Sequence, residues 1–387
     1  MVNARSISRL KKIDWDFAGS QSESAFSTLH WHPCRFVSQI PAAFIGTLTD
    51  PGDTVLDPFA GSGTTLVEAQ RLGRRSIGID LNPIACLAAT AKTVPVFSKT
   101  ITKWTEDLEC SMRDALSDGL LSSAKARKLT PPPESVQHTK WYTRRVMNDL
   151  ATLWHAVNAE RGHKKIIAQA AFSAILLKVC RETRHWGYVC DNTTPRSDHE
   201  GDVGAEYRTV LDGYADAYAE RDKDLILRFG ETATPTPTEV YCADARKKLL
   251  DLAIASVDLV VTSPPYFGVS DYIKAQRLSM EWFGNDIEVF RKVEIGARSK
   301  RHRETALEEY LTEIGEVFSL IKRCLKPGAA CVLVIGESSA RTPYISKLLD
   351  TIRSCGFHLL HTAPRRVSPQ RRLTPSILHE DVLILGT

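Results

Sequence analysis

The sequence predicts an α/β protein built on a doubly wound, mostly parallel sheet, with a helical insertion. Residues 54–80 read as a strand, a glycine loop, a helix and a second strand that ends in a carboxylate. Such a βαβ unit is typical of Rossmann-like sheets. The same rhythm of strands and helices resumes at residue 239, whereas residues 98–238 break it with long stretches of helical period.

The size and composition fit a globular chain with a substantial core. The chain has 387 residues, of which 43% are hydrophobic and 25% charged, so we expect one large domain or two smaller ones. It has no run of about 18 apolar residues, and we expect no membrane span. The basic N-terminus lacks the apolar stretch of a secretory signal. Nine scattered cysteines indicate reduced thiols and therefore a cytoplasmic protein.

The charge distribution permits a nucleic-acid partner without requiring one. The net charge is only +4. Basic residues nevertheless concentrate in two stretches, which could neutralise phosphates or could simply be solvated loops. These residues are Arg291, Lys292, Arg298, Lys300, Arg301 and Arg303 in the first stretch, and Arg365, Arg366, Arg371 and Arg372 in the second.

The elements before the insertion each have a local signal. Residues 1–29 carry little pattern and are expected to form an extended N-terminal arm, and residues 30–49 suit a loop followed by a helix. Apolar runs, turn residues and helical period predict the elements that follow. In chain order these are a turn at 51–53, a strand at 54–57, a helix at 64–72, a strand at 76–80 and a helix that starts at 82–83.

The elements of the insertion and of the second half follow from the same signals. Within the insertion, helices are expected at 141–161, 164–182 and 205–229, before a Thr- and Pro-rich linker at 232–238. The last part of the chain is expected to complete the sheet. Its predicted elements are strands at 239–242, 257–262, 330–335 and 381–385, and helices at 305–325 and 342–355.

The first motif that carries chemistry is the glycine loop, residues 57–65, which reads DPFAGSGTT. A glycine-rich turn between a strand and a helix lets a ligand approach the backbone closely. The loop lacks the third glycine of a dinucleotide fingerprint and the Gly-Lys-Ser/Thr of a Walker loop. Taken alone, it could also be a plain strand-to-helix turn.

Two carboxylates end neighbouring predicted strands. Asp80 follows the second strand, where its carboxylate could accept both hydroxyls of a ribose. Asp244 follows the third strand, where its carboxylate could accept a proton from an adenine amino group. Each of them could equally cap the next helix or loop.

The second motif is the catalytic loop, residues 263–266, which reads Ser-Pro-Pro-Tyr and follows the strand VDLVVT. Two prolines stiffen the backbone, so the loop can hold carbonyl oxygens in fixed directions. Such oxygens can accept hydrogen bonds from an amino group, and Tyr266 can stack on a base. A rigid turn beside a core tyrosine is the alternative.

Together the two motifs resemble those of the amino-methyltransferases that act on adenine N6 or cytosine N4 in DNA. The family's cofactor loop D-P-F-x-G-S-G-T-T matches residues 57–65, and its catalytic loop [DNS]-P-P-[YFW] matches residues 263–266. The stretch around His32, Pro33 and Phe36 resembles the family's N-terminal cofactor-pocket segment. The resemblance covers about 30–95 and 239–387. It implies a class I methyltransferase domain formed by 30–97 and 239–387.

The resemblance implies S-adenosyl-L-methionine as the cofactor and DNA as the partner. Ser263 and the carbonyl of Pro264 would grip the target amino group, with Pro265 stiffening the loop and Tyr266 stacking on the flipped base. The amino nitrogen would attack the methyl carbon in line with the departing sulfur. The residues that would hold the cofactor are His32, Phe36, Asp57, Phe59, Gly61, Gly63, Thr64, Thr65, Asp80 and Asp244.

The first letter of the catalytic loop favours one base. Asp there is common among adenine enzymes, whereas Ser is typical of cytosine-N4 enzymes, so Ser263 favours cytosine N4. Adenine N6 remains an alternative. RNA guanine-N2 enzymes also use a Pro-Pro-aromatic loop, but they normally carry an added RNA-binding module, for which the N-terminal 30 residues are too few. A catalytically silent DNA-binding partner is a third class.

The insertion is the candidate DNA-recognition region. In relatives with the cofactor loop first, that region usually follows the adenine-binding segment, whereas here residues 98–238 lie between Asp80 and Asp244. Ser270-Asp271-Tyr272 resembles a D-Y pair of some serine-type relatives and is expected to shape the base pocket. A cognate restriction endonuclease and association with the nucleoid are compatible with a DNA partner, and oligomeric state stays open.

The remaining candidates concern metal and DNA. Cys180, His185, Cys190 and His199 fit no common zinc-finger spacing, so we expect no metal. The nearby basic and aromatic residues would face DNA or pack a helix end. The candidate DNA-contacting residues are Arg181, Arg184, Arg298, Lys300 and Arg301, with His185 and Trp186 beside the first pair.

Overall fold

The computed structural model describes residues 4–17, 24–33, 37–117, 136–182, 194–195, 199–336, 343–367, 377 and 379–387. Within these residues the centre of the fold is one seven-stranded sheet. Its strands are β1 Thr54–Asp57, β2 Arg75–Asp80, β3 Thr238–Cys242, β4 Val257–Thr262, β5 Leu325–Gly336, β6 His358–Arg366 and β7 His379–Gly386.

The strand order in the sheet is β3-β2-β1-β4-β5-β7-β6. The first five strands pair in parallel, and β7 runs antiparallel between β5 and β6. The chain reverses its direction of travel across the sheet between β1 and β4, and ligands bind at the carboxyl ends of strands at such a point. The predicted Rossmann-like, doubly wound and mostly parallel sheet is confirmed.

Helices cover both faces of the sheet or form the insertion. Those that precede the insertion are α1 Ala4–Leu10, α2 Gln39–Leu48, α3 Thr64–Arg71 and α4 Pro83–Lys92. Those of the insertion are α5 Ser98–Ser117, α6 Val136–Trp141, α7 Arg144–Ala159, α8 Gly162–Leu176 and α9 Val203–Phe229. Those that follow it are α10 Ala245–Asp251, α11 Tyr272–Ala275, α12 Arg277–Trp282, α13 Ile287–Val293, α14 Ala306–Cys324 and α15 Ile345–Ser354.

The insertion shares its hydrophobic core with the rest of the protein. Trp154 and Phe172, from α7 and α8, pack their rings at 4.8 Å between centroids, and Phe172 lies 5.3 Å from Trp282 of α12. Val67 of α3 and Ala91 of α4 belong to the same buried cluster. The helical insertion is therefore anchored on the helices beside the sheet.

The N-terminal residues are not an extended arm, and that prediction is wrong for the part of them that is described. Ala4–Leu10 is helical, and Leu10 and Trp15 are buried. The Trp15 ring stacks on Phe44 of α2 at 4.8 Å. The sequence pattern is weak because only a few apolar residues of this segment face the sheet.

In the second half, the sequence pattern did not predict the short helices α10 to α13 or strand β6, and it placed the start of β5 too late. Strand β6 went unpredicted, because it is half-exposed and carries a proline and two arginines. Strand β5 begins at Leu325, five residues before the predicted strand. Arg365 lies in β6 with its guanidinium buried against Glu380, so its charge supports the sheet and is not available to phosphates.

Candidate functional site

A cleft at the carboxyl ends of β1, β2, β3 and β4, here called the cavity, is the candidate active site. Its empty volume, including the part open to solvent, is about 910 Å³, within the range of ligand pockets. Both motif loops contribute to its wall. The lining residues are His32, Pro33, Pro58, Phe59, Ala60, Gly61, Ser62, Thr64, Asp80, Leu81, Asn82, Asp244, Ala245, Ser263, Pro264, Pro265, Tyr272, Ile273, Val293, Glu294 and Ile295.

Hydrogen bonds join the glycine loop to the end of β4, the strand that leads into the catalytic loop. The Thr262 hydroxyl, next to the catalytic loop, donates to Asp57 Oδ1 at 2.6 Å across 205 positions of sequence. The Thr65 hydroxyl donates to the carbonyl of Val261 at 3.2 Å. Segments far apart in the chain therefore meet at one edge of the sheet, because β1 and β4 are adjacent strands.

The glycine loop needs its glycines for backbone shape and for space. Gly61 and Gly63 have φ of +50° and +85°, a region that favours glycine. A Cβ on Gly61 would lie 3.1 Å from the His32 ring. A Cβ on Gly63 would lie 2.9 Å from Ala89 Cβ of α4 and 3.0 Å from its Cα. Gly61 lines the cavity, whereas Gly63 sets how closely the loop approaches α4.

Lys92 supports the glycine loop, and the sequence analysis did not identify it. Its side chain is buried, and Nζ donates to the carbonyl of Ser62 at 3.1 Å. Buried lysines need such acceptors. Its helix, α4, reads as apolar and gives no linear signal that its last residue turns inward.

Asp57 is buried beneath the cavity and does not line it. Its carboxylate accepts from Thr262 and from the backbone N–H of Phe59 at 3.1 Å. Burial raises the pKa of Asp57 to about 6, although these hydrogen bonds oppose the shift. Asp57 therefore fixes the shape of the glycine loop from behind. Thr65 is likewise fully buried, whereas Thr64 lines the cavity.

Asp80 and Asp244 both line the cavity. The Asp80 carboxylate accepts from the backbone N–H groups of Gly61 and Asn82, each at 2.8 Å, and burial raises its pKa. Asp244 caps α10 and forms an ion pair with Arg246 at 2.6 Å. The hydrogen bonds and charge of Arg246 outweigh burial and lower the pKa of Asp244, so it is ionised.

Three of the four catalytic-loop residues line the cavity: Ser263, Pro264 and Pro265. The Tyr310 hydroxyl of α14 donates to the carbonyl of Pro265 at 3.0 Å. The Tyr272 hydroxyl lies 3.2 Å from the backbone N–H of Tyr266, which donates to it. The loop is thus fixed by two tyrosines in addition to its prolines.

Tyr266 is held away from the cavity in this structure. Its ring is 3% exposed, and its hydroxyl donates to Glu380 at 2.9 Å. Gly336 makes room for the ring, because a Cβ there would lie 2.9 Å from Tyr266 Cε2. Tyr272, in the segment expected to shape a base pocket, lines the cavity instead. Stacking of Tyr266 on a base stays a prediction that requires the ring to move.

The basic candidates have different environments. Lys300 is half-buried and donates to the main-chain carbonyls of Lys292 and Glu294, whereas Arg298 is exposed and Arg301 half-buried. Arg181 is half-buried at the end of the insertion helices. The candidates Phe36, Arg184, His185, Trp186, Cys190, Arg371 and Arg372 lie outside the described residues.

The described residues contain no cluster of three or more His, Cys, Asp or Glu that could hold a metal, and none of their helices could cross a membrane. Cys180 is buried, and His199 lies in the described part as well. The cavity instead suits a nucleoside-sized ligand. It offers carboxylates for hydroxyl and amino groups, and the buried Ser62 Oγ has no partner within the described ranges.

Known proteins resemble the chain in part or over most of its length. A family model described as DNA methylase, of the N6/N4 type, matches residues 5–91. The chain is 23% identical to a type II methyltransferase of Methanocaldococcus jannaschii over 84% of this chain and 76% of that protein. It is 23% identical to a type II methyltransferase of Kocuria varians over 70% of this chain and 60% of that protein. A third, from Streptococcus pneumoniae, is 53% identical over 13% of this chain and 18% of its own.

Proposed function

We propose that the chain is an S-adenosyl-L-methionine-dependent DNA amino-methyltransferase and that it methylates the exocyclic N4 amino group of cytosine in DNA. Its likeness to N6/N4 DNA methylases over residues 5–91 and to type II methyltransferases over most of its length supports this proposal. The observation that carries the proposal is that the glycine loop and a serine-type catalytic loop line one cavity. The chain spans 60% of its Kocuria relative.

The glycine-loop side of the cavity is the proposed cofactor site. S-adenosyl-L-methionine supplies a methyl group on a cationic sulfur, which is already electrophilic. The Asp80 carboxylate accepts the ribose hydroxyls, and Asp244 accepts from the adenine amino group. Gly61 and Thr64 receive the methionine end at the start of α3, where N–H groups favour a carboxylate. His32 and Phe59 complete the wall.

The catalytic-loop side is the proposed base site. Ser263 Oγ and the carbonyl of Pro264 accept the hydrogens of the target amino group. Those fixed acceptors favour the pyramidal nitrogen, whose lone pair then points toward the methyl donor. The chain holds two reactants in line and needs no strong base, so positioning accounts for most of the rate.

Ser263 supports cytosine over adenine as the target. The resemblance associates serine at this position with cytosine-N4 enzymes, whereas adenine enzymes commonly carry aspartate. Adenine N6 is the second candidate, because a hydroxyl can accept from either amino group. A chromosomal DNA target would place the reaction in the cytoplasm at the nucleoid, and a type II relative is compatible with a companion restriction endonuclease.

The insertion is proposed as the region that recognises DNA sequence. Its helices α7 and α8 pack against α12, which begins at Arg277, eleven positions after the end of the catalytic loop. The surface of the insertion would therefore lie next to a base that enters the cavity. Arg181, at the end of this helical part, and the basic stretch around Arg298 and Arg301 would contact phosphates on either side.

The experiment that tests the proposed function is expression in a host free of DNA methylation. Modified bases are identified by mass spectrometry of nucleosides and mapped by single-molecule sequencing. We expect N4-methylcytosine within one recurring recognition sequence, and no N4-methylcytosine in DNA from cells that express the Ser263→Ala variant. N6-methyladenine would favour the second candidate. Unmodified DNA, together with methylated guanine in RNA, would contradict the proposal.

A further inference from the structure

Glu294 is a buried carboxylate in the wall of the cavity that the sequence motifs do not include. It follows α13 directly and lines the cavity between Val293 and Ile295. Its side chain is 4% exposed, whereas the flanking Val293 is 40% exposed at the mouth. A carboxylate is seldom buried without a partner for each oxygen.

Only one oxygen of Glu294 is used by the described residues. Oε1 accepts from the backbone N–H of Tyr272 at 2.5 Å and of Ile273 at 3.3 Å. Oε2 is buried and has no hydrogen-bond partner in the parts of the chain that the structure describes. A buried acceptor left unpaired lowers the stability of the folded protein. Next to a cavity, such an oxygen is explained by a ligand that completes its hydrogen bonding.

The neighbours of Glu294 belong to the catalytic-loop side of the cavity. The backbone around Glu294 forms hydrogen bonds with the residues that follow the catalytic loop. The N–H of Gly268 donates to the carbonyl of Gly296 at 2.9 Å. The N–H of Arg298 donates to the carbonyl of Ser270 at 3.1 Å. Glu294 accepts a hydrogen bond from the backbone N–H of Tyr272. The hydroxyl of Tyr272 in turn accepts a hydrogen bond from the backbone N–H of Tyr266. The unpaired oxygen therefore lies nearer the proposed base site than the glycine loop.

The charge state of Glu294 suits a partner that both donates and accepts. Burial raises its pKa to about 7, with a further rise from the Asp271 charge, while its backbone hydrogen bonds and Lys300 oppose the rise. A neutral carboxyl group is therefore well populated near pH 7. Because Oε1 is already used, only Oε2 remains for a ligand: it is an acceptor in the ionised form and carries the O–H donor in the neutral form.

We infer that Glu294 binds the edge of the flipped base that carries the target amino group, which makes it a specificity residue of the proposed reaction. The inference rests on the proposed function. Cytosine and adenine each present an amino donor beside a ring nitrogen acceptor. Because Oε1 already accepts from Tyr272 and Ile273, the base meets only Oε2. The ionised Oε2 accepts one amino hydrogen, whereas the O–H of the neutral form would donate to the ring nitrogen. One amino hydrogen goes to Glu294, and the other remains for Ser263 or Pro264.

The same geometry excludes the other two bases. Guanine and thymine present a carbonyl oxygen where cytosine and adenine present the amino group, and a ring N–H where those bases present an acceptor. The ionised Oε2 would therefore face another acceptor, and the O–H of the neutral form would face another donor. Leaving polar groups unpaired in a closed site is an effective means by which an enzyme rejects an analogue. Glu294 thus supplies base selection, while Ser263 supplies the orientation for transfer.

The test is a thermodynamic cycle on binding. Wild type and Glu294→Gln are each titrated with DNA duplexes in the presence of S-adenosylhomocysteine. The duplexes carry the recognition sequence mapped above. At the target position they have either cytosine or pyrimidin-2-one, which lacks the amino group. The amide oxygen of Gln can still accept from Tyr272 and Ile273, so the fold is kept. Glu308→Gln, an exposed position on α14, is the matched control.

We expect removal of the amino group to weaken binding about tenfold in wild type and in Glu308→Gln, but less than twofold in Glu294→Gln. Equal losses in all three proteins would overturn the inference. Calorimetry measures the cofactor affinity of Glu294→Gln. If that affinity falls while removal of the amino group still weakens DNA binding about tenfold, the inference is overturned and the carboxylate is assigned to the cofactor. If wild type modifies no DNA, the proposed function fails before this comparison begins.

Discussion

At the scale of single residues, the site depends on side chains buried behind the cavity as much as on those that line it. Asp57 matches the family's cofactor loop, yet it binds Thr262 and the loop backbone beneath the surface. Lys92 and Glu294 are equally buried and had no signal in the sequence. A linear pattern identifies residue types and spacing, but the direction of a side chain depends on neighbours that are distant in the chain.

The burial of Asp57 makes stability depend on pH. Its pKa is about 6 in the folded protein, against 3.8 as the ordinary value, so the folded state binds the proton more tightly. This contribution to stability is complete below pH 3.8 and is lost as pH rises through about 6. The raised pKa corresponds to at most about 3 kcal/mol.

The Asp57→Asn variant is therefore expected to be more stable than wild type at pH 8 by up to about 3 kcal/mol, and to lose that advantage toward pH 4. Asn keeps an acceptor for Thr262 and Phe59 but carries no charge. Urea unfolding at several pH values measures the difference. A difference that is the same at pH 5 and pH 8 would contradict the account of Asp57.

The Ser263→Ala variant separates binding of cofactor from binding of the base. Ser263 lines the cavity on the catalytic-loop side, and its hydroxyl makes one weak contact, at 3.5 Å with Tyr266. We expect methyl transfer to fall at least about a hundredfold, while cofactor affinity by calorimetry changes less than about threefold. Loss of cofactor affinity would show that Ser263 has a different role.

At the scale of elements, two buried central strands, β1 and β4, were predicted to the residue. Both β1 and β4 have the predicted bounds, since both are buried on two faces. The β6 strand could not be predicted, because an edge strand with alternating exposure and a proline owes its structure to pairing with β7. The burial of Tyr266 has a similar origin, since its partner Glu380 lies on β7.

The contact between the glycine loop and α4 gives a prediction for Gly63. A Cβ at this position would meet the Ala89 backbone, and φ of +85° is strained for any other residue. We expect Gly63→Ala to destabilise the protein by roughly 2–4 kcal/mol and to weaken cofactor binding. The matched control is Gly52→Ala, where φ is +91° but no atom lies within 4 Å of the new Cβ. Equal losses of stability in the two variants would show that the α4 contact is unimportant.

At the scale of the whole molecule, the insertion and the sheet domain share one buried cluster. The sequence predicted the insertion as a block of helices, but it could not show that Trp282, from beyond the insertion, packs among the insertion's aromatic rings. Contacts of this kind join residues more than a hundred positions apart, as Ser173 and Ser279 do at 2.8 Å. The insertion is therefore held in a fixed place beside the cavity.

This shared core predicts cooperative unfolding. Replacing Trp282 by Ala removes a fully buried ring from the cluster and should cost roughly 3–5 kcal/mol. We expect the urea transition of the variant to shift as one step, whether followed by fluorescence or by far-ultraviolet circular dichroism. Two separate transitions, with only the helical one shifted, would show that the insertion folds independently.

The account depends most on the glycine loop and the catalytic loop enclosing one reaction space. A crystal structure of the chain with S-adenosylhomocysteine tests this directly. We predict that the ligand lies in the cavity, with its ribose at Asp80 and its sulfur facing Pro264. A ligand bound elsewhere, or bound in the cavity with its sulfur turned away from the catalytic loop, would contradict the account.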